Sequence, residues 1–292
     1  MFFEETRLLP AIGLTWEPND AYAFRASYSQ TIARQTFKEL SPILQQEFAG
    51  GPVFIGNPEL VFSEVDNFDL RMDYRPYDGA LVSVSYFLKN IEDAIEFVQR
   101  DVFFKYTTAV NYPSGRLSGF EFEVRQDLSN WAVALEGIEF GLNATFIQSK
   151  VVLPQDEQAG FSQATIQAPI SFRDMTNAPE HLYNLFLTYD VPDTGTSLGL
   201  FYTVTGDALV EGAGQNGQEF FPDVYATEFG TLNLSLAQRI GKYLTLSFKG
   251  KNLTNPEIET VFRSKYIGDD ILNTRNRSGI DLSVALSFDV AL

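Results

Sequence analysis

Apolar and polar residues alternate with a period of two along most of the chain. Near its end, Ile280, Leu282, Val284, Leu286, Phe288, Val290 and Leu292 alternate with small or polar residues from Gly279 to Ala291. Successive side chains of a strand point to opposite faces, so this segment is a strand with one greasy face. The same pattern recurs in Leu232, Leu234 and Leu236, in Leu244, Leu246 and Phe248, in Phe68, Leu70 and Met72, and in Phe120, Phe122 and Val124. Val82, Val84, Tyr86 and Leu88 repeat it, with Phe87 as the one aromatic on the polar face. No window of similar length reads as an amphipathic helix. The pattern predicts strands over 7–17, 21–34, 64–77, 80–97, 106–127, 139–152, 180–190, 197–209, 225–240, 243–254 and 276–291.

The predicted connections alternate in length. Glu17-Pro18-Asn19-Asp20, Asp78-Gly79, 128–138, Pro192-Asp193-Thr194-Gly195 and Gly241-Lys242 form the shorter set. Residues 35–63, 98–105, 153–179, 210–224 and 255–275 form long loops rich in Gly, Pro, Asn, Gln and acids. Short turns on one side and long loops on the other describe an antiparallel transmembrane β-barrel of the outer membrane. Aromatics beside the short turns (Trp16, Tyr22, Tyr74, Tyr77, Tyr189 and Tyr243) match an interfacial girdle. A soluble β-sandwich also alternates, but its strands usually run about 5–6 residues, whereas a strand crossing a bilayer needs about ten.

Composition narrows the classes. The 38 acidic residues against 21 basic give a net charge of −17, which argues against general nucleic-acid binding. With no cysteine and one histidine, a disulfide framework, an Fe–S centre and a multi-His metal site are excluded, and no cofactor is expected. No apolar run approaches the roughly 20 residues of a spanning helix. The start, Met1-Phe2-Phe3-Glu4-Glu5, lacks the signature of a signal peptide, which leaves either a cytoplasmic protein or a mature fragment that has lost its leader, and the strand pattern favours the second. Bacterial single-chain barrels have even strand numbers. Eleven strands, the first running inward, therefore predict half of a 22-stranded barrel, with 1–292 as one barrel portion.

Several ordered motifs carry a resemblance. Leu8 to Trp16 followed by Tyr28-Ser29-Gln30-Thr31-Ile32-Ala33-Arg34, then Gly56-Asn57-Pro58-Glu59-Leu60, Phe87-Leu88-Lys89-Asn90-Ile91, Gly119-Phe120-Glu121 and Asn252-Leu253-Thr254-Asn255 together resemble the C-terminal barrel portion of TonB-dependent outer-membrane receptors. The resemblance implies an intact protein with an N-terminal plug domain, coupling to the TonB energy-transducing complex, and no enzymatic step. It also implies uptake of a scarce small-molecule cargo: a siderophore, a vitamin or a saccharide. The ending Val290-Ala291-Leu292 departs from the family's terminal aromatic, with Phe288 the nearest one.

Candidate chemistry is sparse. Phe54, Phe161, Phe172, Phe220, Phe221 and Tyr225 are loop aromatics that could contact a ligand, although loop self-packing accounts for them equally. Asp156, Glu157, Glu211, Glu219, Asp223, Glu228, Asp269 and Asp270 make the loops acidic, which suits either a cation-binding mouth or, as favoured, loop solubility and contact with the divalent ions that cross-link surface lipid. Arg25, Asp69, Arg71, Asp73, Arg75, Glu121, Glu123 and Arg125 place charges of both signs on the inward face, where they could set selectivity, face a plug or neutralise one another. His181 reads as a rim histidine; a hydrolase using it would need a nucleophile elbow, and no G-x-S-x-G is present. A passive porin-like or structural barrel is the alternative to a receptor.

Overall fold

The computed structural model describes residues 6–46, 52–191, 193–216 and 219–288. One antiparallel path of eleven strands forms the wall: β1 (Ala11–Asn19), β2 (Tyr22–Ala33), β3 (Ser63–Tyr74), β4 (Ala80–Asp101), β5 (Lys105–Asp127), β6 (Ile138–Val152), β7 (His181–Val191), β8 (Thr196–Thr205), β9 (Phe229–Ile240), β10 (Leu244–Lys251) and β11 (Asp281–Phe288). Each pairs with its neighbour along this path. Among the described residues β1 bonds only to β2 and β11 only to β10, so the wall has two free edges. Every predicted strand is present, with shifted ends. β1 begins at Ala11 and reaches Asn19, and β11 is described over Asp281–Phe288. Met1–Glu5, Pro192, Val290 and Leu292 lie outside the described residues.

The wall is inverted relative to a soluble sheet. Its apolar face is open, with Leu70 56%, Phe120 50%, Phe146 46% and Val284 70% exposed. Its polar face holds the buried groups Asn67, Asp73, Ser83 and Thr145. Burying apolar area is the main favourable term of folding in water, and a water-soluble sandwich would cover that face. Hydrocarbon instead rewards an exposed apolar band and hides polar groups inside. On the inward face Arg25 and Arg71 both reach Asp73, with Arg71 Nε 2.7 Å from Asp73 Oδ1. Arg71 and Arg125 also flank Glu123 at 2.7 Å each. These five charges thus neutralise one another, within a strand (Arg71–Asp73, Arg125–Glu123) and between strands (Arg25–Asp73, Arg71–Glu123).

The short turns close as expected. Gly79 and Gly195 have φ of 82° and 66°, a region L-residues rarely adopt. Near them Trp16 stacks on Phe24 at 5.3 Å and Tyr22 on Tyr74 at 4.8 Å.

The long loops differ from expectation. Residues 98–105 are not a loop: the β4–β5 ladder continues to Asp101–Lys105. At Asp93, whose φ is 53°, the carbonyl leaves the ladder opposite Pro113, which has no N–H. It accepts from Ser63 Oγ and Asn111 Nδ2, each at 2.8 Å. Above this point the hairpin rises out of the wall into a structured loop layer. Residues 208–209, 225–226 and 276, predicted as ends of wall strands, join parts of the predicted loops 210–224 and 255–275 in a second sheet there, of strands Ala208–Glu211, Asp223–Ala226, Ile258–Arg263 and Ile271–Asn276. The largest core lies in this layer, around Ala94, Val98, Tyr112, Val151, Leu153 and Phe161. Fully burying one such large side chain contributes roughly 1.5–3 kcal/mol, enough to hold loops that sequence alone leaves irregular.

Candidate cargo mouth in the loop layer

The motif residues are joints between wall and loops. Asn57 donates through Nδ2 to Ala109 O (3.2 Å) and accepts at Oδ1 from Glu59 N–H (3.0 Å). Leu60 is buried with Phe54 and Ala109. A Cβ on Gly56 would strike the backbone of Ser41 and come within 2.7 Å of Lys38 O, so only glycine fits. Pro58 begins the turn that follows, and Arg34 is exposed just past β2. Gly119 lies beneath the Phe87 ring, and Glu121 is half-buried on the inward face between Ser85 and Thr145. Asn252 (φ 54°) and Asn255 (φ 41°) form a left-handed turn above β10. Its N–H groups bind Asn233 Oδ1 (2.9 Å) and, through Leu253, Leu232 O (2.8 Å). Asn252 Nδ2 also donates to Gly279 O at 2.8 Å.

A cavity of about 400 Å³ lies between loop 35–63, the β4–β5 tip and the second sheet. Phe54 and Phe97 supply aromatic walls, their rings 5.8 Å apart, and Gln45, Asn177 and Asn273 supply amides. Glu211 also lines it. Burial raises its carboxyl above the ordinary range, opposed by the Thr107 hydroxyl and Lys105. Burial pushes Lys105 down, opposed by Glu211 and Asp101, and its Nζ sits over the Phe262 ring at 4.7 Å. This set can hydrogen-bond and stack on a polar solute. Among the described residues no three of His, Asp and Glu converge to hold a metal ion.

The other loop aromatics are dispersed. Phe161 is in the core, edge-on to Phe220, which is edge-on to Tyr266. Phe221 lies 5.7 Å from Lys105 Nζ. Phe172 is exposed under Lys150 Nζ. Tyr225 is buried, donates to Asp174 Oδ2 (2.7 Å) and carries the Arg263 guanidinium over its ring. Burial and the Asp174 carboxylate raise its hydroxyl well above the usual phenol range.

Loop solubility does not describe all the loop acids. Glu157 is buried against Arg100 and the Tyr112 hydroxyl. Asp223 accepts from Ala213 N–H at 2.6 Å and burial raises its carboxyl. Asp270 is held below the usual range by Arg263. Among the others, Asp156 stands in the first turn of helix Gln155–Phe161, Asp269 sits beside Asp270, and Glu219 N–H binds Asn216 Oδ1. His181 lies at the rim, its Nε2 2.8 Å from Glu228 Oε2 and its ring stacked on Tyr183.

An outward apolar band with short turns at one end and long loops at the other is the pattern of an outer-membrane β-barrel wall. Residues 2–253 match the family described as TonB dependent receptor-like, beta-barrel. The chain belongs to that family. Its fold is similar to the ferric enterobactin receptor PfeA of Pseudomonas aeruginosa, at TM-score 0.59 and 14% identity over 96% of this chain and 40% of that one. It is also similar to the copper transporter OprC (TM-score 0.61, 14% identity, 95% and 39% covered) and to the FrpB iron transporter of Neisseria meningitidis (0.57, 15%, 97% and 38%). The chain thus spans about 40% of the length of the receptors it matches. No match is found among curated protein sequences. Membership in the TonB-dependent receptor family places the chain in the outer membrane.

The sequence missed Gln45, Phe97, Asn177 and Asn273. Phe97 falls in an alternating stretch that reads as ordinary strand, and single amides in polar loops carry no signal until the fold gathers them.

Proposed function

We propose that residues 1–292 are the C-terminal part of the barrel of a TonB-dependent receptor, contributing eleven of 22 wall strands. The intact protein takes up a scarce solute of the siderophore, vitamin or saccharide class across the outer membrane. An N-terminal plug fills the lumen against the inward charges, and the TonB complex supplies energy. The open apolar face backed by a polar face that holds the buried Asn67, Asp73, Ser83 and Thr145 is the observation that supports this reading. The cavity of about 400 Å³ between Phe54, Phe97 and the amides is the proposed cargo contact, and no covalent chemistry is required of it. The test is growth of cells carrying the full-length receptor on limiting candidate cargo, with TonB intact or deleted. Growth that vanishes without TonB supports an energised receptor. Equal growth in both strains supports a passive barrel.

A further inference from the structure

The wall carries a pair of like charges on its lipid side. Arg116 and Lys150 stand directly opposite one another in the β5–β6 ladder. They are four residues from the directly paired Phe120 and Phe146, hence on the same face by the period of two, and roughly 13 Å along the strands. Those rings are 50% and 46% exposed and belong to the lipid-facing band. The two cations therefore project outward just beyond the band on the loop side. Like charges directly opposite on a sheet repel. Among the described residues neither has an ion-pair partner.

These cations also line a cavity. Arg116, Ser118, Gln148 and Lys150 border a space of about 640 Å³ from the outward face, the inward-register Ile147, Ser149 and Glu180 border it from the other, and a second space of about 510 Å³ adjoins it and shares Lys150. Lys265 lines the second space, likewise without an ion pair, its Nζ 4.9 Å from the Tyr266 ring. Lys150 Nζ lies 3.8 Å from the Phe172 ring. Of the carboxylates in the two spaces, Asp207 is paired with Arg263 at 2.8 Å, Asp174 accepts the Tyr225 hydroxyl, Asp223 lies 3.9 Å from Arg173, and Glu180 follows the inward register of Ile147.

We propose that the outward side of this cavity holds the phosphate-bearing headgroup of an anionic lipid of the outer leaflet, with Arg116, Lys150 and Lys265 as its counter-charges and Phe172 against its carbon skeleton. An amphiphile fits because the cations sit directly above an exposed apolar surface. A phosphate between Arg116 and Lys150 converts their repulsion into two charge-assisted contacts. Its cations stand on the outward face of the wall with Phe120 and Phe146, so the site does not depend on what is transported.

The test uses the full-length receptor in neutral detergent, with lipid retention read by native mass spectrometry. The probes are dioleoyl phosphatidic acid, dioleoyl phosphatidylcholine and inorganic phosphate. The expected result is preferential retention of phosphatidic acid, falling roughly thirtyfold in the Arg116→Gln/Lys150→Gln double variant, about fivefold per cation. Lys242→Gln at a short turn should change nothing. Heat-modifiable mobility reports folding of each variant, and Lys265→Gln alone, with an expected loss of about fivefold, decides the matter if the double variant misfolds. Equal retention of both lipids, or unchanged retention in a folded variant, overturns the proposal. Displacement of phosphatidic acid by inorganic phosphate at equal concentration overturns it in favour of a free-anion site.

Discussion

The ring of Phe87 fills the space that a side chain at Gly119 would need. The two residues are direct partners across β4 and β5, and a Cβ on Gly119 would lie 2.6 Å from Phe87 Cζ and strike the Phe146 carbonyl. The aromatic that broke the polar face and the glycine of the motif are thus one arrangement, a ring covering a bare backbone patch.

Gly119→Val should therefore lower the folded fraction of the full-length barrel, by about 1–3 kcal/mol as for other overpacked sites. Phe87→Ala should not restore it, because the Phe146 carbonyl remains in the way. Heat-modifiable gel mobility measures both, and full rescue by Phe87→Ala would show that the ring is the sole obstacle.

The inverted wall predicts a contrast between adjacent positions of β9. Leu234→Arg should cost roughly 2–4 kcal/mol, as a cation on the lipid face near the midplane does, while Ser235→Arg on the inward face should leave folding nearly intact. Asn233 is a poorer inward control, since its Oδ1 anchors the Asn252 turn. Equal losses at 234 and 235 would mean that both faces are packed by protein.

Loop-side and turn-side positions should differ in access. A cysteine replacing the exposed Ala164 should react with an impermeant maleimide on intact cells, and one replacing the exposed Asp193 should not. The reverse pattern would invert the wall in the membrane.

Glu96 makes the loop layer sensitive to pH. It is fully buried above the lipid-facing band, accepts from Thr176 N–H at 2.9 Å, and leaves Oε1 without a partner. Burial raises its carboxyl to about 7, opposed by the Thr176 hydrogen bonds and the charge of Arg173. Below the unfolded value both states hold the proton and no penalty exists. Between that value and about 7 the unfolded chain loses its proton first, so stability falls as pH rises, by about 3 kcal/mol in all. The raised carboxyls of Glu211 and Asp223 act in the same direction. The Thr176 amide should exchange faster at about pH 8 than at about pH 5.5, beyond the intrinsic rate change, and Glu96→Gln should abolish the difference. An unaltered pH response in Glu96→Gln would assign it to other groups.

The wall was legible in the sequence because a bilayer imposes one rule on every strand. Each must alternate for long enough to cross, so Leu282, Val284 and Leu286 announce their face without reference to any partner. The loop layer obeys no such rule. Phe97 and Tyr112 lie in stretches that look like wall, and the positive φ at Asp93 that lifts them out has no sequence marker except Pro113 across the ladder. The buried partners of Glu96, Glu157 and Arg173 come from positions up to 80 residues away, a distance over which charge patterns carry no information. The motif glycines and asparagines could be found as motifs, but not as joints, until the backbones they touch were in place.

The β4–β5 hairpin has 22 and 23 residues, or roughly 70 Å of strand against a hydrocarbon layer of about 25–30 Å. It stands over the membrane like a tent pole, and coverings from distant parts of the chain are pegged to it. Phe54 and Asn57 are fixed at Thr107 and Ala109, Thr176 at Glu96, and Gly212 at Phe97 and Gln99. Shortening the pole would slacken every covering at once, whereas cutting one covering would leave the others taut. A change in one covering then leaves the other anchor points in place, while a change in the length of the hairpin displaces all of them together.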